Sequence, residues 1–175
     1  MDEPAGVDGP IEPVARFGRQ TLVLLGVAAV GLIIDQLTKA WAVGALSGGR
    51  SITLIDSLLT LRLVRNPGAA FSMGESMTWV FTILSAAVLV GVIWFSRRVR
   101  SRSWTLTLGL LAAGAAGNLG DRLFRPPAVG RGHVVDFIDY AGKFVGNVAD
   151  IAIVLATIAI VITVLRGIPI DGVRK

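Results

Sequence analysis

The chain alternates long apolar runs with short polar breaks. The first run extends from about Thr21 to Ile34 and continues through Asp35-Gln36-Leu37-Thr38-Lys39-Ala40-Trp41. An α-helix rises about 1.5 Å per residue and roughly 20 residues cross the hydrocarbon core, so this pattern predicts a membrane span over about 21–41. Further apolar runs predict spans over about 77–95, 104–121 and 148–165. The segment of about 43–75 is more polar. Within it, Ser51-Ile52-Thr53-Leu54-Ile55 and Leu59-Thr60-Leu61-Arg62-Leu63-Val64-Arg65 alternate in part and are rich in β-prone residues. That predicts a small strand pair, a cradle on the membrane surface, ending in the turn at Pro67-Gly68. The expected fold class is therefore an all-α membrane protein with four transmembrane helices, a small extracytoplasmic β-cradle and both termini in the cytoplasm. Its single domain spans 16–166, between tails at 1–15 and 167–175.

Composition agrees with this pattern. The 175 residues are 53% hydrophobic and 17% charged, with a mean hydropathy of +0.70, which is too apolar for an ordinary soluble domain. Asp2, Glu3, Asp8 and Glu12, with three prolines, mark a solvated N-terminal tail. The same acidic tail argues against reading the first run as a cleaved leader ending at Ala40-Trp41-Ala42, as does the polar patch at Asp35 to Lys39. A net charge of +5 raises the possibility of a nucleic-acid partner. However, the arginines sit at the ends of apolar runs and lack interleaved aromatics, so none is expected. Arg97, Arg98, Arg100 and Arg102 fill one short loop, which the positive-inside rule puts in the cytoplasm. The small residues of Gly109 to Gly117 suit close helix packing. Cysteine is absent and there is one histidine, which excludes thiol nucleophiles and disulfides and argues against a metal centre or other cofactor.

This topology carries the intramembrane polar residues to one side. The first span leaves the cytoplasm and ends at Asp35 and Lys39, the third ends at Asn118, Asp121 and Arg122, and the fourth begins outside at Asn147 and Asp150. Spacings of i, i+3 and i+4 put Asn118, Asp121 and Arg122 on one helical face and Asn147 with Asp150 on another. Asp35 with Lys39, and Asp121 with Arg122, read as charge pairs that let a bundle tolerate carboxylates. Asp136 and Asp150 instead lie in apolar stretches with no basic residue at helical spacing. Two such carboxylates brought together share a proton, which is the condition for aspartic hydrolysis. Asp139 borders the Tyr140-Ala141-Gly142-Lys143 turn and is expected to face solvent. His133 is expected to be a satisfied loop residue, and Asn66 reads equally well as a turn residue or a site residue.

Five motifs, Asp35-Gln36-x-Thr38-Lys39, Asn66-x-Gly68-Ala69-Ala70-Phe71-Ser72, Gly117-Asn118-x-x-Asp121-Arg122, Val135-Asp136-Phe137 and Asn147-x-Ala149-Asp150, occur in register from the first span to the fourth. In this the chain resembles the lipoprotein signal peptidases, the bacterial signal peptidase II family. The resemblance implies an aspartic endopeptidase of the bacterial plasma membrane that cuts prolipoproteins just before a diacylglyceryl-modified cysteine. By the same resemblance the catalytic pair is Asp136 and Asp150. Asp35, Lys39, Asn66, Asn118, Asp121, Arg122 and Asn147 support the active site or bind substrate. Expected partners are the lipid-modified substrate and membrane lipid, and a monomer is expected. The cradle from Ser51 to Phe71 is placed to close over a bound peptide. Two features depart from the family pattern: Gly146 stands where many members carry an aromatic residue, and the 125–131 turn is long.

Two other function classes use the same residues. A proton-coupled transporter or relay predicts ionisable groups spread through the membrane depth, whereas the second and fourth spans lack them in their interiors. A non-catalytic scaffold leaves the unpaired Asp136 and Asp150 unexplained.

Overall fold

The structure is a computed structural model that describes residues 18–68 and 78–172. The N-terminal tail, the end of the cradle motif from Ala69 to Ser72, and the basic residues Arg174 and Lys175 lie outside the described residues. The elements in order are α1 (Arg19–Leu46), β1 (Ser51–Ile55), β2 (Leu59–Asn66), α2 (Thr78–Ser96), α3 (Arg102–Phe124), β3 (Val134–Tyr140), β4 (Phe144–Gly146) and α4 (Val148–Leu165).

By length and composition α1, α2 and α4 are apolar enough to cross a membrane. Their large side chains, among them Leu37, Val90 and Leu165, are exposed, as expected where the solvent is hydrocarbon. The third helix differs because it sits in the middle. It packs against the other three helices, and it carries alanine and glycine where they carry leucine and isoleucine. A Cβ on Gly114 would lie 2.6 Å from Ile153 Cγ1 of α4, one on Gly109 would lie 2.9 Å from Val27 Cβ of α1, and one on Gly31 would lie 2.6 Å from Ala113 Cβ. Small residues thus set the interhelical distances, as is common where dispersion rather than water exclusion drives association.

The first helix is longer than the sequence pattern implies. Its last turns run on past Trp41 to bury Ala42 and Leu46 against Val135 and Phe137 of β3. The cradle is also larger than the expected strand pair. Four antiparallel strands form one sheet in the order β1-β2-β3-β4, with Val64 opposite Asp136 and Ile138 opposite Gly146. The third strand is buried from Val134 to Phe137. Buried on both faces, it lacks the apolar and polar alternation that betrays a strand.

At the end of the bundle remote from the sheet, Thr21 Oγ1 donates to Ser96 O at 3.0 Å and Trp104 Nε1 donates to Ile168 O at 2.8 Å. The first joins α1 to the end of α2 and the second joins α3 to the segment after α4, which also accepts at Ile170 O from Arg100 N of the arginine-rich loop at 2.9 Å.

The glycine contacts make an expected outcome specific. Gly114→Val forces α3 and α4 apart and, at the about 1–3 kcal/mol typical of overpacking, lowers the melting temperature of the purified protein by roughly 2–10 °C. Gly91→Ala, where nothing lies within 4 Å of an added Cβ, causes no drop. Thermal melts of both variants in one detergent check the pair.

Candidate active site

The site grows outward from Lys39, about two turns before the end of α1 and 0% exposed. Its Nζ lies 2.8 Å from Asp35 Oδ2 and 3.0 Å from Asp121 Oδ2, and it donates to Asn118 Oδ1 at 3.1 Å. Each of the two carboxylates also anchors a distant backbone amide. Asp121 Oδ2 accepts from Val135 N at 3.0 Å, and Asp35 Oδ1 accepts from Ala149 N at 2.9 Å. Val135 and Ala149 are the residues immediately before Asp136 and Asp150. The ion cluster therefore fixes both sequence-predicted catalytic aspartates through the backbone that carries them. Gly117 makes room for this, because a Cβ there would clash with Asp35 Oδ2.

Asparagine amides then align the two carboxyl groups. Asn147, fully buried, is the N-cap of α4. Its side chain accepts from Asp150 N at 3.0 Å, while its own N–H donates to Asp150 Oδ2 at 3.1 Å, completing a capping box. The same residue's Nδ2 donates to Asp136 Oδ1 at 2.6 Å and to Asn118 Oδ1 at 3.2 Å. Asn118 Nδ2 in turn donates to Asp150 Oδ1 at 2.9 Å. Asn66, at the end of β2, holds Asp136 Oδ2 at 2.8 Å through Nδ2 and accepts from Gly68 N at 2.7 Å. Asn66 thus closes the turn and also bonds Asp136.

Burial in these surroundings, reinforced by the charge of Asp150, pushes the Asp136 carboxyl up to about 6. The hydrogen bonds from Asn66 and Asn147 and the charge of Lys39 pull in the opposite direction.

Arg122 does not pair with Asp121 as the sequence reading expected. Adjacent helical residues point to different sides, and Arg125, one turn further on, takes Asp121 Oδ1 at 2.6 Å. Arg122 is 7% exposed. Its guanidinium carbon lies 5.3 Å from the centre of the Phe81 ring, and its Nε and Nη1 have no hydrogen-bond partner among the described residues.

Asp139 does not face solvent. It is 7% exposed, bonded to Arg62 Nε at 2.5 Å and to Gly142 N at 2.8 Å, and Arg62 holds its carboxyl below the usual carboxylate range. Three residues from Asp136 along a strand, it projects to the opposite face, so it cannot substitute in the pair. His133 lies in the loop before β3, with its N–H bonded to Pro126 O at 2.9 Å.

Three contributors were given no role from sequence: Gln36 and Gly117, which stand in the quoted motifs, and Arg125. Gln36 Nε2 reaches Asp35 Oδ2, Gly117 O and Asp121 Oδ1 at 3.1–3.2 Å. The i, i+4 spacing of Arg125 from Asp121 was the available signal for that residue.

A scan of family models matches residues 27–166 to the family described as Signal peptidase (SPase) II. A lipoprotein signal peptidase of Rhodococcus jostii is 47% identical over 174 residues, covering 99% of this chain and 86% of the relative. That of Mycobacterium tuberculosis (strain ATCC 25618 / H37Rv) is 42% identical over 185 residues, covering 99% and 92%. Among solved structures, a bacterial membrane enzyme determined by the in meso method at 2.3 Å resolution superposes with a TM-score of 0.70 at 30% identity, covering 82% of this chain and 87% of that one.

Two outcomes follow from the geometry. Replacing Lys39 by Met leaves Asp35 and Asp121 buried without their shared cation, and the loss of one partner from such a cluster costs about 3–5 kcal/mol. A fall in melting temperature of roughly 6 °C or more is expected at neutral pH. Asp136 supplies a pH signature. Its carboxyl titrates near 6 when folded against an ordinary 3.8, so the folded state binds the extra proton between those limits. Stability therefore falls as the pH rises through that window, by about 2–3 kcal/mol in all, and is level above it. Melting curves of wild type and Asp136→Asn from pH 4 to 8 should diverge in favour of the variant up to about pH 6 and run parallel beyond it.

Proposed function

The chain belongs to the signal peptidase II family, and from that premise and the geometry of its carboxylates we propose that it is an aspartic endopeptidase acting on prolipoproteins. The observation that carries this reading is the bridging of Asp136 and Asp150 by one buried residue, Asn147, which bonds to both. Two aspartates held by a common amide and sharing one proton form a water-activating pair. The ionised carboxylate takes a proton from a water molecule as its oxygen attacks the scissile carbonyl carbon. The protonated partner donates to the carbonyl oxygen, giving a gem-diol intermediate. As the C–N bond breaks, the proton acquired from water passes to the leaving amine nitrogen, and the diol returns a proton to its donor.

Charge supports the singly protonated state. The cations Lys39, Arg122 and Arg125 stand among four carboxylates, Asp35, Asp121, Asp136 and Asp150, and one proton on the catalytic pair brings the cluster to neutrality. Arg122, whose Nε and Nη1 are unspent among the described residues, is suited to a peptide carbonyl of the substrate.

All four helices are read as spanning the plasma membrane, with both termini in the cytoplasm and the carboxylates at the outer face. The basic loop from Arg97 to Arg102 sets that orientation. A signal peptide that has crossed from the cytoplasm presents its cleavage site at the same level, just before a diacylglyceryl-modified cysteine. The concentration of the buried carboxylates at one end of the bundle favours hydrolysis over a proton relay, which needs groups along the membrane depth.

Cleavage of a diacylglyceryl-modified prolipoprotein by the purified protein tests the reading. Asp136→Asn and Asp150→Asn are expected to lose at least about 100-fold in kcat, while Asp139→Asn stays within a few fold of wild type. Substantial turnover by either folded dyad variant would show that the pair is not the water-activating group. No turnover by wild type would remove the peptidase assignment.

A further inference from the structure

An apolar recess of about 350 Å³ opens beside Asp150, on the side away from the ion cluster. Its roof is Phe144 and Tyr140, whose rings stack with centroids 6.0 Å apart and 21° between their planes. Gly146 allows that arrangement. A Cβ at this position would lie 2.7 Å from Phe144 Cε1 and 3.1 Å from Asp150 Oδ2, so a side chain here would displace the ring and crowd the carboxylate. The opposite wall consists of Ile151, Val154 and Leu155. These follow Asp150 down one side of α4 into the span and are 39%, 56% and 51% exposed. The recess thus runs without a break from a catalytic carboxylate to a surface that faces hydrocarbon.

Resting on the signal peptidase II reading, we propose that this recess receives one acyl chain of the diacylglyceryl group on the substrate cysteine, and that Gly146 and Phe144 set its shape. The chemistry of the wall selects the occupant. Among the described residues that line it, only the Asp150 carboxyl and the Tyr140 hydroxyl can hydrogen-bond through a side chain. An unpaired peptide group there would go unsatisfied, whereas an acyl chain carries nothing to satisfy. The polar side of the site, with Asn66, Asn118 and Arg122, is the side that can serve a peptide backbone. The modified cysteine directly follows the cleaved bond, so its lipid is tethered within a few atoms of the carbonyl that Asp150 must reach. A larger recess of about 530 Å³ lies between α1, α2 and α3, at Leu32, Leu89 and Leu123, but it borders neither catalytic aspartate.

Two measurements on the full-length enzyme in lipid or detergent test the assignment. A prolipoprotein whose diacylglyceryl group carries a diazirine near one acyl terminus is irradiated with wild-type enzyme, and the label is mapped by peptide mass spectrometry. Labelling within residues 144–155 is expected; labelling confined to the neighbourhood of Leu32 and Leu89 overturns the proposal. The second measurement is the ratio of kcat/KM for dipalmitoyl over dioctanoyl substrates of one peptide sequence. Val154→Trp, or Leu155→Trp if the first variant is unstable, partly fills the recess from its lipid-facing wall. The ratio should fall about tenfold, the worth of contact with roughly two methylenes. An unchanged ratio, including equal slowing of both substrates as expected if a peptide side chain occupies the recess, overturns it. Wild type that turns over both substrates while the ratio stays fixed refutes the acyl site alone. Wild type that turns over neither refutes the peptidase reading, and the acyl site with it.

Discussion

The buried ammonium of Lys39 is the interaction on which the functional end of this protein depends. Without a cation between them, Asp35 and Asp121 would face each other at low dielectric, a cost far larger than any hydrogen bond could offset. With it, each carboxylate keeps an oxygen lone pair for a backbone amide, and those amides belong to Val135 and Ala149. One charge on α1 thereby sets the position of β3 and of the first turn of α4. These two segments share no sequence proximity to Lys39 and little to each other. Such an arrangement is an expensive way to hold a fold, since a buried ion cluster is rarely more stable than the apolar packing that could replace it. Its advantage is directional: ion pairs and amide hydrogen bonds fix orientation, which packing of methyl groups does less well.

The start of α4 shows the same economy in a second form. Every helix must satisfy its first free N–H groups. Here Asp35 takes the amide of Ala149 and Asn147 takes that of Asp150, so the cap that begins the helix also builds the site. The N–H dipoles at this terminus favour negative charge nearby, which offsets part of the burden of holding several carboxylates near hydrocarbon. The carboxyl of Asp136, on β3, is nonetheless raised, because two asparagine bonds do not offset its burial.

How far the sequence revealed this structure depended on which force decided each part. Hydrophobic length alone placed α1, α2 and α4, because lipid imposes the same requirement along the whole span. The pairing of Asp35 with Lys39 was legible from i, i+4 spacing, and that of Asp121 with Arg125 could have been. Assigning Asp121 to Arg122 failed because neighbours in sequence diverge on a helix. Asp139 was misread for a related reason. The turn beside it suggested solvent, but the partner that buries it, Arg62, comes from β2 and becomes visible only once the four-stranded sheet is known. The third strand was hidden because its burial on both faces removes the alternation that marks strands. Gly117 and Gly146 are legible only in space, since what each makes room for is contributed by a different residue: Asp35 for one, the Phe144 ring for the other.

Those two glycines also show how Asp150 comes to stand between unlike environments. At Gly117 the missing side chain admits a carboxylate, and the neighbourhood becomes a closed polar network of Asp35, Lys39, Asn118 and Asp121. At Gly146 it admits an aromatic ring, and the neighbourhood becomes apolar and open to lipid. Asp150 touches both, bonded to Asn118 on one side and bordering the Phe144 recess on the other. The proposed substrate, part peptide and part lipid, presents the same division, polar at the amide to be cut and apolar at the acyl chain beyond it. A carboxylate placed at the seam can meet the amide while the chain beside it stays out of water, a geometry that neither a wholly polar cleft nor a wholly apolar groove could provide.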